Sequence, residues 1–170
     1  MKRLWLILFL LFVSCEEKKN GLYTVYWNSG QKKVESTYKD GKLDGLTTGW
    51  YENGQKKMEG NWKNSKPEGP FQRNGKWTYW HENGQKSKKE TYDNFGIKYG
   101  LSTEWYEDGQ KWIEGTYKGG MLNGLYTVWY ENGQRSSVTT WKNDEIISGK
   151  CWDEDGNECE CGERWWEGCK

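Results

Sequence analysis

Alanine does not occur once in these 170 residues, proline occurs twice and histidine once. A chain without alanine and with twenty-two glycines is poorly suited to helices. A charge excess is missing as well. Lys+Arg and Asp+Glu both number 25, which argues against a general binder of nucleic acid or of an anionic surface. Aliphatic residues are scarce. After residue 15, Leu, Ile and Val total fourteen, against twelve Trp and eleven Tyr. A compact sandwich needs more aliphatic volume than that. Abundant Trp, Tyr and Thr favour strands, and the glycines favour the turns between them. The composition predicts an all-β protein, a thin sheet faced with large rings.

The one long apolar run is at the start. MKRLWLILFLLFVSC opens with Lys2 and Arg3 and continues through ten apolar residues, Leu4 to Val13. Ten is too short to cross a bilayer and suits the core of a signal peptide. The ending Phe12-Val13-Ser14-Cys15 resembles a bacterial lipobox, with Phe12 in place of the usual Leu. The resemblance implies a signal peptide over 1–14, lipidation of Cys15, and a solvated tether over 15–20. Glu16 after the cysteine resembles outer-membrane rather than inner-membrane sorting. The alternatives are an ordinary secretory signal or an N-terminal anchor.

The rest of the chain is repetitive. WYENGQKK at 50–57 returns as WHENGQKS at 80–87, WYEDGQKW at 105–112 and WYENGQRS at 129–136. YWNSGQKK at 26–33 and WDEDGNEC at 152–159 are variants. The anchoring glycines are Gly30, Gly54, Gly84, Gly109, Gly133 and Gly156, a period near 24. A second glycine opens each of the first five units, at Gly21, Gly45, Gly75, Gly100 and Gly124. Each unit reads as strand, tight turn, strand and a looser turn such as Lys39 to Asp44.

The turn is read as a three-residue loop, Glu52-Asn53-Gly54, with Gly54 left-handed and Tyr51 facing Gln55. Such a loop keeps parity, so Leu46, Thr48 and Trp50 are expected on one face with Met58, Gly60 and Trp62. The small middle residues Ser36, Gly60 and Gly115 leave room for rings. The other face carries Tyr23, Trp27, Tyr51, Tyr106, Tyr126 and Tyr130.

Units of this form resemble the MORN-repeat variant found in bacteria. The match is closest at Gly45-Leu46 with Trp50–Gln55, at Gly100-Leu101 with Trp105–Gln110, and at Gly124-Leu125 with Trp129–Gln134. It implies an elongated, open meander of about six antiparallel hairpins, with repeats over 21–147 and a Cys-rich cap over 148–170. Many such bacterial proteins carry a YwqK-type antitoxin label, which implies a bound and neutralised protein partner and no catalysis.

Two regions depart from the repeat. The third unit is entered through an extra segment, 64–74, holding both prolines, and it carries Lys76, Lys88 and Glu90 where neighbours are apolar or small. The C-terminus holds Cys151, Cys159, Cys161 and Cys169. In an exported protein, two disulfides are expected. Cys151–Cys159 with Cys161–Cys169 follows from the loop register. A shift of two residues gives Cys151–Cys161 instead, and a four-thiolate zinc site is the alternative chemistry.

No phosphate loop, His cluster or nucleophile motif is present, so neither catalysis nor a cofactor or metal is expected. His81 stands where neighbouring units have Tyr. The expected function is a non-enzymatic envelope lipoprotein that binds a protein partner and is held to the membrane by its lipid. Tyr51, Tyr106, Tyr130, Tyr126 and Trp77 are the candidate partner-binding rings. A glycan or cell-wall module using the same rings, or a purely structural envelope protein, are the alternatives.

Overall fold

The structure, a computed structural model, describes residues 18–65, 72–162 and 168–170. Lipidation at Cys15, the signal segment and both prolines lie outside the described residues.

Twelve strands form one antiparallel sheet in which spatial order equals chain order. The first two repeats supply β1 (Gly21–Tyr26), β2 (Lys32–Lys39), β3 (Lys42–Trp50) and β4 (Lys56–Ser65). The middle of the sheet is β5 (Arg73–Trp80), β6 (Lys86–Tyr92), β7 (Gly100–Trp105) and β8 (Lys111–Lys118). It ends with β9 (Met121–Trp129), β10 (Arg135–Lys142), β11 (Glu145–Trp152) and the short β12 (Glu158–Cys159). Among the described residues each named strand pairs only with its sequence neighbours, so β1 and β12 are the end strands of the sheet. The fold is the open meander of hairpins expected from the repeat.

Within each repeat the three-residue loop is as expected. Tyr51 N donates to Gln55 O (2.9 Å), Gly54 N donates to Tyr51 O (3.0 Å), and Gly54 has φ +86°. The turn after the first, fourth and fifth repeats is tighter than the looser turn expected. Asp40 and Gly41 both have positive φ, and Lys39 pairs with Lys42, giving a two-residue turn that matches the strand twist. β3 therefore begins at Lys42, before Gly45.

The expected faces are overturned by a second bulge. Trp50 pairs with Lys56, yet Gly49 pairs with Met58, so Lys57 bulges out of the ladder. The same skip falls at Lys33, Ser87, Trp112 and Ser136. One extra residue moves every later side chain to the opposite face. Gly45, Thr47 and Gly49 therefore share a face with Met58, Gly60 and Trp62, whereas Leu46 and Thr48 lie opposite Asn61 and Glu59.

One surface is consequently an aromatic face. Its rings rest on the small residues between them. Trp77 is 1% exposed and lies over Gly60, with its ring 4.7 Å from that of Trp62 and its Nε1 donating to Asn61 O. Tyr126 lies over Gly115 beside Trp141 in the same way. Such ring pairs add about 0.5–1.5 kcal/mol each beyond their burial. The reverse surface is a leucine face. Leu22, Leu46, Leu101 and Leu125 are exposed there, each in a row with Thr or Asn on the partner strand. Between them, Lys–Glu pairs such as Lys56–Glu59 (2.6 Å) repeat along the sheet.

The C-terminal disulfides are Cys151–Cys161 and Cys159–Cys169, with Cα–Cα distances of 5.2 and 5.7 Å. Cys151 does face Cys159 in register, as expected, but the predicted bonds are not formed. β12 ends after Cys159 and the chain folds back, setting Cys161 against Cys169 and within reach of Cys151.

Gly60→Ala would drive a methyl into the Trp77 ring. It is expected to cost about 1–3 kcal/mol in urea unfolding, as overpacking does. Cleavage after glutamates, including Glu160, separates the four cysteines. Non-reducing mass spectrometry is expected to find the Cys151 and Cys161 fragments joined, and Cys151 joined to Cys159 would contradict this pairing.

Candidate functional site: a cleft between the third and fourth repeats

The residues that close each loop also join it to the next repeat. Tyr51 Oη donates to the Trp80 carbonyl (2.8 Å), Tyr106 Oη to that of Trp129 (2.7 Å) and Tyr130 Oη to that of Trp152 (2.9 Å). His81 Nε2 lies 2.9 Å from the Trp105 carbonyl, which can only accept, so that nitrogen carries the proton. Trp27 Nε1 does the same toward Trp50 (3.3 Å). The hydroxyls of Tyr51, Tyr106 and Tyr130 are thus committed to the fold, and only their half-buried ring surfaces remain. Trp77 is buried and cannot serve as a partner contact, a correction to the sequence-based expectation. Tyr126 lies over Gly115 on the aromatic face, and burial pushes its pKa up to about 12.

The loop phrase has further joints. Asn53 Oδ1 accepts from Gln55 N within its own loop, while Asn53 Nδ2 donates to the Glu82 carbonyl of the next (3.0 Å). Asn83 reaches the Glu107 carbonyl (2.6 Å) and Asn132 that of Glu154 (2.9 Å). The Gln of one loop lies over the Gly of the next. A side chain on Gly84 would meet the Gln55 amide. The anchoring glycine is therefore required for its left-handed φ and for this close approach.

In the third repeat the aromatic face turns ionic. Glu90, 3% exposed, takes the position held by Ser36 or Gly60 in earlier units. It accepts from Tyr92 Oη (2.7 Å) and pairs with Arg73 (3.1 Å), Lys98 (3.3 Å) and Lys88 (3.4 Å). Lys88 also reaches Glu104 (3.2 Å). Burial alone would raise the pKa of Glu90. The Tyr92 hydrogen bond and the two lysines outweigh it and hold the group below its ordinary range. Arg73, near the end of the inserted 64–74 segment, also lies over the Trp77 ring. The insertion thus delivers a cation to a buried carboxylate.

Beside this cluster, toward the loops, a cleft of about 770 Å³ opens between the third and fourth repeats. Tyr79, His81, Trp105, Tyr106 and Trp112 form its walls. Its charged lining is Lys88 against four carboxylates, Glu104, Glu107, Asp108 and Glu131. Trp112 is the bulge residue of the fourth repeat. It is 41% exposed and its ring lies 5.8 Å from that of Tyr106. Of the predicted residues, only Tyr106 lines this cleft. Trp112 was missed, although the position after Gln-Lys varies (Lys33, Lys57, Ser87, Trp112) within an otherwise constant phrase.

An open sheet of stacked hairpins, each locked to the next by loop side chains, defines a β-hairpin repeat protein. The MORN repeat variant model matches residues 19–40, 43–64, 73–94, 98–118 and 122–143, one hairpin each, and the chain belongs to that family. No curated protein matches it.

Because Glu90 ionises more readily in the folded chain than in the unfolded one, its pairs stabilise the fold above the ordinary glutamate pKa. That contribution is lost as pH falls through and below it. Urea midpoints measured from about pH 7 to about pH 3 are expected to fall steeply for the natural chain. Glu90→Gln is expected to lower the midpoint at neutral pH and to flatten the acid limb.

Proposed function

We propose that the protein is a non-catalytic scaffold that binds a protein partner through the cleft between its third and fourth repeats. The observation that carries this reading is the cleft's wall: an exposed Trp112 stands beside Tyr106 in a concave setting, whereas Trp77 and Tyr126 are folded onto the sheet's own Gly60 and Gly115. Exposed Trp and Tyr in a concave setting are what interface hot spots use. Repeat scaffolds also place specificity where the repeat is broken, and the insertion and the ionic cluster break it here.

The setting is proposed to be the cell envelope. Two disulfides call for an oxidising compartment. The lipobox-like Phe12–Cys15 stretch fits delivery and lipid anchoring there. An immunity-like role, neutralising another exported protein, agrees with that location.

The test is site-specific photocross-linking in the producing cell. A photoreactive residue replacing Trp112 is expected to give one discrete protein adduct, and the same residue at Lys118 none. A polysaccharide adduct would favour a glycan-binding module. No adduct from position 112 would end the reading.

A further inference from the structure

Five repeats have a bulge residue beside the side chain that begins the loop, and in four of them the chain itself fills that place. In the first, Lys33 Nζ lies 4.3 Å from the centre of the Trp27 ring. In the second, Lys57 Nζ lies 5.1 Å from that of Tyr51. In the fifth, Ser136 is 2% exposed and the C-terminal segment is seated there. A side chain on Gly168 would run into Tyr130 Oη and Ser136 Oγ. In the fourth, the uncharged Trp112 ring takes the place, 5.8 Å from that of Tyr106, and in the third the short Ser87 leaves it open; both residues line the cleft. In the first two repeats the sheet's own occupant of that place is a lysine ammonium over an aromatic ring.

A second feature points the same way. Three loops pass an asparagine N–H to the carbonyl of the next loop, at Asn53–Glu82, Asn83–Glu107 and Asn132–Glu154. At the equivalent joint the fourth loop has Asp108, and Glu131 of the next loop lines the same cleft. An aspartate has no N–H to give. Its Oδ1 and Oδ2 accept from Gln110 N (2.8 Å) and Gln110 Nε2 (3.0 Å) of the same loop. Both groups at this joint are therefore acceptors, and they lie in a cleft with a carboxylate excess. A donor that is also a cation satisfies them together, and the Tyr106 and Trp112 faces suit its charge.

We propose that this cleft binds an organic cation, the ammonium or guanidinium head of a lysine or arginine side chain on the protein partner. The head sits between Asp108 and the Glu131 carbonyl, and the aliphatic stem lies along Tyr106 and Trp112. The identity of the source rests on the scaffold reading; the cation site does not.

The probes are n-butylammonium, n-butylguanidinium and neutral n-butanol, titrated into the full disulfide-bonded chain. The readout is the Trp112 indole N–H resonance in ¹H–¹⁵N spectra. Both cations are expected to shift it saturably, and butanol is not. Two variants are expected to weaken the cations by about tenfold while keeping a dispersed spectrum. Asp108→Asn restores the amide to the joint, and Ser87→Lys supplies the chain's own cation. Equal shifts with butanol, or unchanged affinity in both variants, would overturn the cation site. Competition by n-butylammonium against the cross-link at position 112 is expected if the source is the partner's side chain, and adduct formation indifferent to it overturns that assignment. Saturable cation binding with no adduct at all leaves the cation site standing and defeats the scaffold reading.

Discussion

The whole sheet depends on one joint: a side chain leaving one loop and bonding a backbone carbonyl at the next. A hairpin alone is marginal in water, and a single-layer sheet has no second layer to hold it. The strand-ending carbonyls of Trp80, Trp129 and Trp152 each receive a tyrosine hydroxyl from the preceding repeat. Asparagine amides add a parallel bond from loop to loop. These contacts fix the spacing of neighbouring loops, and stability builds through nearest neighbours as in other repeat proteins.

Burial follows from the same arrangement. Among the described residues the buried side chains are mostly small and polar, such as Thr47, Ser102 and Thr139, as a thin sheet without a second layer allows. Only the third repeat departs, with a carboxylate in that row. Glu90 is retained by the cations arranged around it, one of them, Arg73, supplied by the insertion. A buried charge held this way is a source of specificity at least as much as of stability. Its neighbour is the cleft, where Lys88 and Glu104 stand in positions that are apolar or small in other repeats. The ionic cluster and the cleft are therefore two sides of one irregularity.

Much of the fold was legible in the phrase WYENGQKK. Its glycine requires a left-handed residue, its asparagine suits the loop, and a period near 24 makes each unit one hairpin. The three-residue loop and the opposition of Cys151 to Cys159 both follow from that reasoning. What it missed was the bulge at Lys57 and its equivalents. Nothing in local propensity distinguishes a regular Lys57 from a bulged one, yet the bulge exchanges the two faces. Tyr51, Tyr106 and Tyr130, read as partner-facing, are joints, because a hydroxyl's bond to a repeat some 22 to 29 residues away has no local signature.

By itself, then, the sequence determined a β-hairpin repeat, its turn geometry and the places where the repeat is broken. These depend on backbone conformation and on contacts within a few residues. Tertiary structure alone decided which face each ring joins, which cysteines bond and where a cleft opens. Those outcomes depend on register between strands and on whether each repeat fills the space beside its neighbour. The fourth repeat places Trp112 where the first two have a lysine and Asp108 where three others have an asparagine, and only the stacked sheet shows that both line one cleft.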